Sequence, residues 1–111
     1  MQYKSKRSKA TDIPASVKKR VFERDKGRCV ICGNNYNVMP SSHILSRAKG
    51  GKGIEENIVT MCTNFTPNKC HYYFDNGTKE QRDFMMKKIE KYMKKIYGEN
   101  WDISNNKYIK K

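Results

Sequence analysis

The apolar positions fall into a few short groups, each with its own phase. Over 14–25, Val17, Val21 and Phe22 recur at helical spacing behind Pro14. Proline suits a first helical turn, where its missing N–H would have no partner, and Gly27 closes the segment. The run over 36–46, with Val38, Met39, Ile44 and Leu45, reads as a strand, and 57–61 reads as a second. Gly50, Gly51 and Gly53 mark the loop between them. A short helix is expected from near Cys70 to the breaker pair Asn76-Gly77. Thr78 then has the signature of an N-cap, with Gln81 three residues on to complete a capping box. The strongest helical signal covers 79–97. At about 100° per residue, Met85, Ile89, Tyr92, Met93 and Ile96 share one arc, and Lys87, Lys88, Lys91, Lys94 and Lys95 share the opposite one. No periodic signal marks 101–111, and no internal repeat is visible.

These elements predict one α+β domain over 13–98, followed by a tail over 99–111. Residues 1–12 are rich in Lys and Arg and nearly devoid of apolar side chains, so a disordered basic arm is expected there.

Composition adds two constraints. A chain of 111 residues that is 36% hydrophobic builds a small core, so an additional staple is expected. Lys and Arg number 24 against 11 Asp and Glu, a formal charge of +13, which suits a polyanionic partner, nucleic acid first. An anionic membrane would answer the same charge, but the sequence has no long apolar run and no signal-like segment. A soluble, cytoplasmic protein is expected.

The cysteines supply the staple. Cys29 and Cys32 have the spacing of a zinc knuckle, and Cys62 and Cys70 form a looser pair with seven residues between them. In a reducing compartment such pairs favour structural Zn²⁺ over disulfides. A set of Cys29, Cys32, Cys62 and His71 would also have legal ligand types. Adjacent residues on a helix point about 100° apart, so Cys70 is assigned to zinc and His71 to a different site.

The chain has two histidines, His43 and His71. His71 lies four residues before Asp75, so the two share a face of the short helix and can hold one divalent cation.

Three stretches in order, CVIC, SSHILSRAKGGKGIEENIVTMC and CHYYFDNG, carry a resemblance. Residues 13–77 resemble the HNH endonuclease family, particularly its small zinc-containing forms from bacteriophages and bacteria. The family's motif letters fall on His43, Asn57 and His71. The resemblance implies a ββα-metal fold, here with a four-cysteine zinc knuckle and flanking N- and C-terminal helices. It also implies DNA as substrate and a host-cell setting, and phage relatives act beside DNA-packaging proteins.

Cutting a phosphodiester needs a deprotonated water in line, charge neutralisation at the phosphate and stabilisation of the departing oxygen. His43 suits the first task because imidazole titrates near neutral pH. A cation on His71 and Asp75 suits the others; Mg²⁺ or Mn²⁺ fits a site with few protein ligands, and imidazole also accepts Ni²⁺ or Zn²⁺. By resemblance, Asn57 fixes the backbone that carries His43; the alternative is an Asn completing a turn after Glu56. Arg47 is a candidate phosphate clamp or a solvated surface residue. Many family members have Asp or His directly before the base histidine. Ser42 stands there in this chain, and a hydroxyl is a weaker metal ligand.

Two other functions fit parts of the sequence. A non-catalytic zinc-ribbon DNA-binding module explains the cysteines and the charge, and an interaction adaptor explains the amphipathic helix. Neither calls for the His43, His71 and Asp75 combination.

Overall fold

The computed structural model describes residues 6–109. In chain order it contains helices α1 (Lys6–Thr11) and α2 (Ala15–Arg24), strands β1 (Val38–His43) and β2 (Ile58–Cys62), and helices α3 (Cys70–Asn76) and α4 (Lys79–Tyr97). Short 3₁₀ turns cover Arg47–Lys49, Glu55–Asn57 and Ile103–Asn106. The expected basic arm lies partly outside the described residues. Its described part differs from the expectation, because Lys6–Thr11 is helical and Thr11 is buried.

β1 and β2 form a two-stranded antiparallel sheet in which Val38 faces Cys62, Met39 faces Met61, Ser42 faces Val59 and His43 faces Ile58. From Met39 to Ser42 β1 spends one more residue than its partner, a bulge occupied by Pro40 and Ser41. Proline, which cannot donate to a ladder, is tolerated there, and the bulge resets which face the following residues take. A two-stranded sheet is marginal alone, and here every residue of β2 is buried. Ile58 joins Val17, Val21 and Ile13, while Val59, Met61 and Cys62 join Ile89 and Met93 of α4.

Two helical faces differ in detail from their sequence patterns. In α2, Val17 and Val21 are buried as expected, but Phe22, one residue round the helix, is exposed and lies beside Gly27. In α4, Ile89 and Met93 are fully buried and Met85 and Tyr92 partly so, whereas Ile96 at the end of the arc is 40% exposed. The capping box forms as expected: Thr78 Oγ1 accepts from Gln81 N at 3.1 Å and Gln81 Oε1 accepts from Thr78 N at 2.8 Å.

A buried polar cluster ties α2 to β2 and α4. Arg24 donates to the carbonyls of Glu55 (2.6 Å) and Ile58 (2.7 Å) and pairs with Asp25 at 2.8 Å. Asp25 accepts from Thr60 N at 2.9 Å and Tyr92 Oη at 2.7 Å. The Arg24 guanidinium lies 6.0 and 5.9 Å from the rings of Tyr92 and Tyr97. Burial, with Asp25 beside it, pushes the Tyr92 phenol up to about 12. The C-terminal segment is also structural. Trp101 is buried and donates to Glu56 O at 3.0 Å, Asn106 Nδ2 donates to the same carbonyl at 3.0 Å, and Tyr108 N donates to Gly50 O at 2.7 Å. No helix among the described residues is long and apolar enough to cross a membrane.

Candidate functional site

The four cysteines converge. Cys29 and Cys32 sit on a tight turn closed by Gly33 N donating to Cys29 O at 2.9 Å; Cys62 ends β2 and Cys70 opens α3. Their sulfurs all lie within 4.8 Å of one another, and Cys32 and Cys62 approach to 3.3 Å. Tetrahedral zinc with bonds of about 2.3 Å requires sulfurs roughly 3.8 Å apart, so this donor set fits a metal ion such as Zn²⁺. Within the cluster the thiols differ in acidity. The Cys70 thiol donates to Cys29, and with help from backbone amides, including that of Ile31, this holds the Cys29 thiol far below its ordinary range. The same bond, with burial, pushes the Cys70 thiol far up, and burial first of all pushes Cys62 up. His71 is not among the clustered donors, so the Cys29, Cys32, Cys62 and His71 alternative is not the arrangement found.

The long spacing between Cys62 and Cys70 is taken up by a pinned turn. Thr63 donates to Asn37 O through both its amide and its hydroxyl, at 2.9 Å each. Thr66, 2% exposed, donates to Thr63 O at 3.0 Å and accepts from Lys69 N at 3.1 Å.

His43, His71 and Asp75 line one cleft of about 640 Å³ together with Asp12, Lys18, Ser41 and Arg47. On α3, His71 and Asp75 stand one turn apart and half exposed, with Nε2 and Oδ2 separated by 3.4 Å. Two ligands about 2.1 Å from one cation are about 3.0–3.4 Å apart, so the pair is spaced to share one. The other ring nitrogen of His71, Nδ1, is 2.8 Å from Ser42 Oγ. Ser42, which stands where many HNH sequences have a stronger metal ligand, is buried and holds the His71 ring. Among the described residues, the four cysteines are the only group of three or more His, Cys, Asp and Glu spaced for an ion.

His43 is half-buried at the end of β1, with Nε2 2.9 Å from Thr11 O. A carbonyl oxygen only accepts, so Nε2 carries the hydrogen and Nδ1 is the basic nitrogen of the neutral ring. Burial is the largest influence on His43 and lowers its pKa, outweighing the raising effect of the Thr11 carbonyl. The imidazole is thereby kept neutral to lower pH than an exposed histidine.

Asn57, fully buried, knits the loop after His43 to the start of β2. Its Oδ1 accepts from Leu45 N at 2.9 Å, and its Nδ2 donates to Leu45 O at 3.1 Å and Lys52 O at 2.9 Å. Its own carbonyl accepts from Ile44 N at 2.8 Å. Two glycines let backbone pack closely here, Gly51 against Leu45 beside Asn57 and Gly53 against Asp12. A Cβ at Gly51 would lie 1.7 Å from Leu45 O, and one at Gly53 would lie 1.9 Å from Asp12 O.

Arg47 donates to Asp12 Oδ1 at 2.5 Å, an engagement that neither the clamp nor the solvated reading included. Thr11 and Asp12 are site residues the sequence did not mark. Their sequence context is that of a basic arm, and the folded chain brings them to the cleft, with Gly53 N donating to Ala10 O at 2.9 Å. No protein-family model, curated protein or solved structure matches this chain.

Proposed function

We propose that this protein is a metal-dependent DNA endonuclease of the HNH type that hydrolyses phosphodiester bonds, with His43 as general base. The observation that carries the reading is a single cleft uniting a neutral, oriented imidazole with a His71–Asp75 pair spaced for one cation. The order of elements supports it: β1, the Asn57-braced loop, β2 and α3 run as a hairpin followed by a helix, the order expected of a ββα-metal nuclease.

Each residue then has a task. Thr11 O fixes the His43 tautomer, so that Nδ1 takes the proton from the attacking water while Nε2 keeps its hydrogen. Asn57 holds the loop that follows His43, and so its position relative to α3. Ser42 sets the ring plane of His71 through Nδ1, leaving Nε2 toward Asp75. His71 and Asp75 would hold a divalent cation, Mg²⁺ or Mn²⁺ by ligand number and Ni²⁺ or Zn²⁺ by imidazole affinity, which would supply neutralisation of the developing negative charge. Arg47 exchanges Asp12 for a phosphate oxygen when DNA enters. The four-cysteine zinc centre is the staple that seats α3 against β2, and the +13 charge draws in the polyanion.

A zinc-ribbon DNA-binding module is the second reading, favoured by the cysteine cluster alone. Incubation with supercoiled plasmid, with and without Mg²⁺, Mn²⁺ or Ni²⁺, decides between them. The endonuclease yields nicked or linear product that His43→Ala loses. Retained DNA binding with no cutting under any metal identifies the module.

A further inference from the structure

A second depression, of about 320 Å³, shares Ser41, which lies on the bulge, and His71 with the cleft. Its floor includes the cross-strand pair Met39 and Met61, and its rim carries Thr63, Asn64 and Phe65 from the turn before α3. No carboxylate, ammonium or guanidinium group lines it.

Phe65 is 85% exposed, so its ring adds nothing to the core. It does not sit on a slack loop: Phe65 N donates to Thr63 Oγ1 at 3.3 Å, and the flanking Thr63 and Thr66 are bonded as described above. An aromatic ring held out at the edge of an apolar groove is preorganised for a flat apolar partner.

We propose that this groove binds one unstacked nucleobase of the DNA strand whose phosphate occupies the cleft, with Phe65 as the surface on which the base stacks. The identity of the strand rests on the nuclease reading. Three observations select a base over other occupants. The groove and the cleft share a wall at Ser41 and His71, so a nucleotide with its phosphate at the cleft has its base next to the groove. The lining offers no counter-charge for a phosphate, whereas every base has an apolar π-face. The neighbours Asn64, Asn68 and Lys69 are exposed and polar, so the surface around Phe65 lacks the continuous apolar centre of a protein interface.

The test compares the full-length protein with Phe65→Ala and Phe65→Trp, measuring affinity by anisotropy for a single-stranded oligodeoxynucleotide and for the same sugar-phosphate chain with abasic sites throughout. The expected result is about a tenfold loss for Phe65→Ala on the normal strand, within the range of base–aromatic stacking. The abasic strand should show no loss, and Phe65→Trp should regain affinity with its emission quenched by the normal strand only. Because Phe65 is exposed, Phe65→Ala should keep the parent's melting temperature and zinc content. Unchanged affinity for the normal strand, or an equal loss on both strands, overturns the proposal. Plasmid cutting is scored separately: no cutting with any metal defeats the nuclease reading, while the strand comparison still decides the base site.

Discussion

Replacing Asn57 with alanine removes three hydrogen bonds from a fully buried position and leaves the Leu45 amide and the Leu45 and Lys52 carbonyls without their partner. Each such bond contributes about 1 kcal/mol net, and a stranded buried group costs about as much or more. The expected loss is therefore about 3 kcal/mol, a large share of the roughly 5–15 kcal/mol typical of a domain. For a chain of this size it corresponds to a fall in Tm of roughly 10–15 °C. Asn57→Asp separates hydrogen bonding from volume. It keeps the shape and the acceptor for Leu45 N, but at pH 7 it has no donor for the two carbonyls and buries a charge, so it should destabilise at least as much as alanine. Chemical denaturation at pH 7 with zinc present measures both variants. A loss below about 1 kcal/mol for alanine, or an aspartate variant close to the parent, would show that Asn57 does not brace the loop and would refute the reasoning.

Stripping the four-cysteine centre with a strong chelator should unfold the protein or broaden its thermal transition, and elemental analysis of freshly purified protein should find zinc; folded, zinc-free protein would contradict both. His43→Ala should lower plasmid cutting by about 100-fold or more while DNA binding survives; near-normal cutting moves the base elsewhere. His71→Ala and Asp75→Ala should instead raise the metal concentration needed for cutting, and an unchanged metal requirement would remove them as ligands. Burial depresses the His43 pKa below 6.5, so His43 remains a competent base below that pH. As pH falls through 6.5 the unfolded chain takes up the proton first, and stability declines toward the folded pKa; a cutting profile whose acid limb lies above 6.5 would contradict the buried setting. Deleting residues 1–12 should flatten the salt dependence of DNA binding; unchanged affinity and slope would show that this segment is not a DNA contact.

Whatever is local in physics was legible along the chain. The capping box at Thr78 and Gln81 depends on residues three apart, and the α4 seam of Ile89 and Met93 on one helical turn, so spacing alone located both. Paired cysteines announced a cluster able to hold a metal ion because thiolate chemistry restricts their uses, and His71 with Asp75 needed only one turn of helix to meet. Other features depended on tertiary packing. The Thr11 carbonyl reaches His43, and Asp12 reaches Arg47, only because the backbone of 10–12 lies over Gly53, where no side chain would fit. A carbonyl belongs to every residue, and nothing in its sequence context says which one will orient an imidazole. The Arg24–Asp25 cluster and the seating of Trp101 and Asn106 on Glu56 join segments tens of residues apart, and an amphipathic pattern cannot record such pairings. Composition favoured a polyanion from the start, whereas which His43 nitrogen keeps its hydrogen was decided by the folded chain alone.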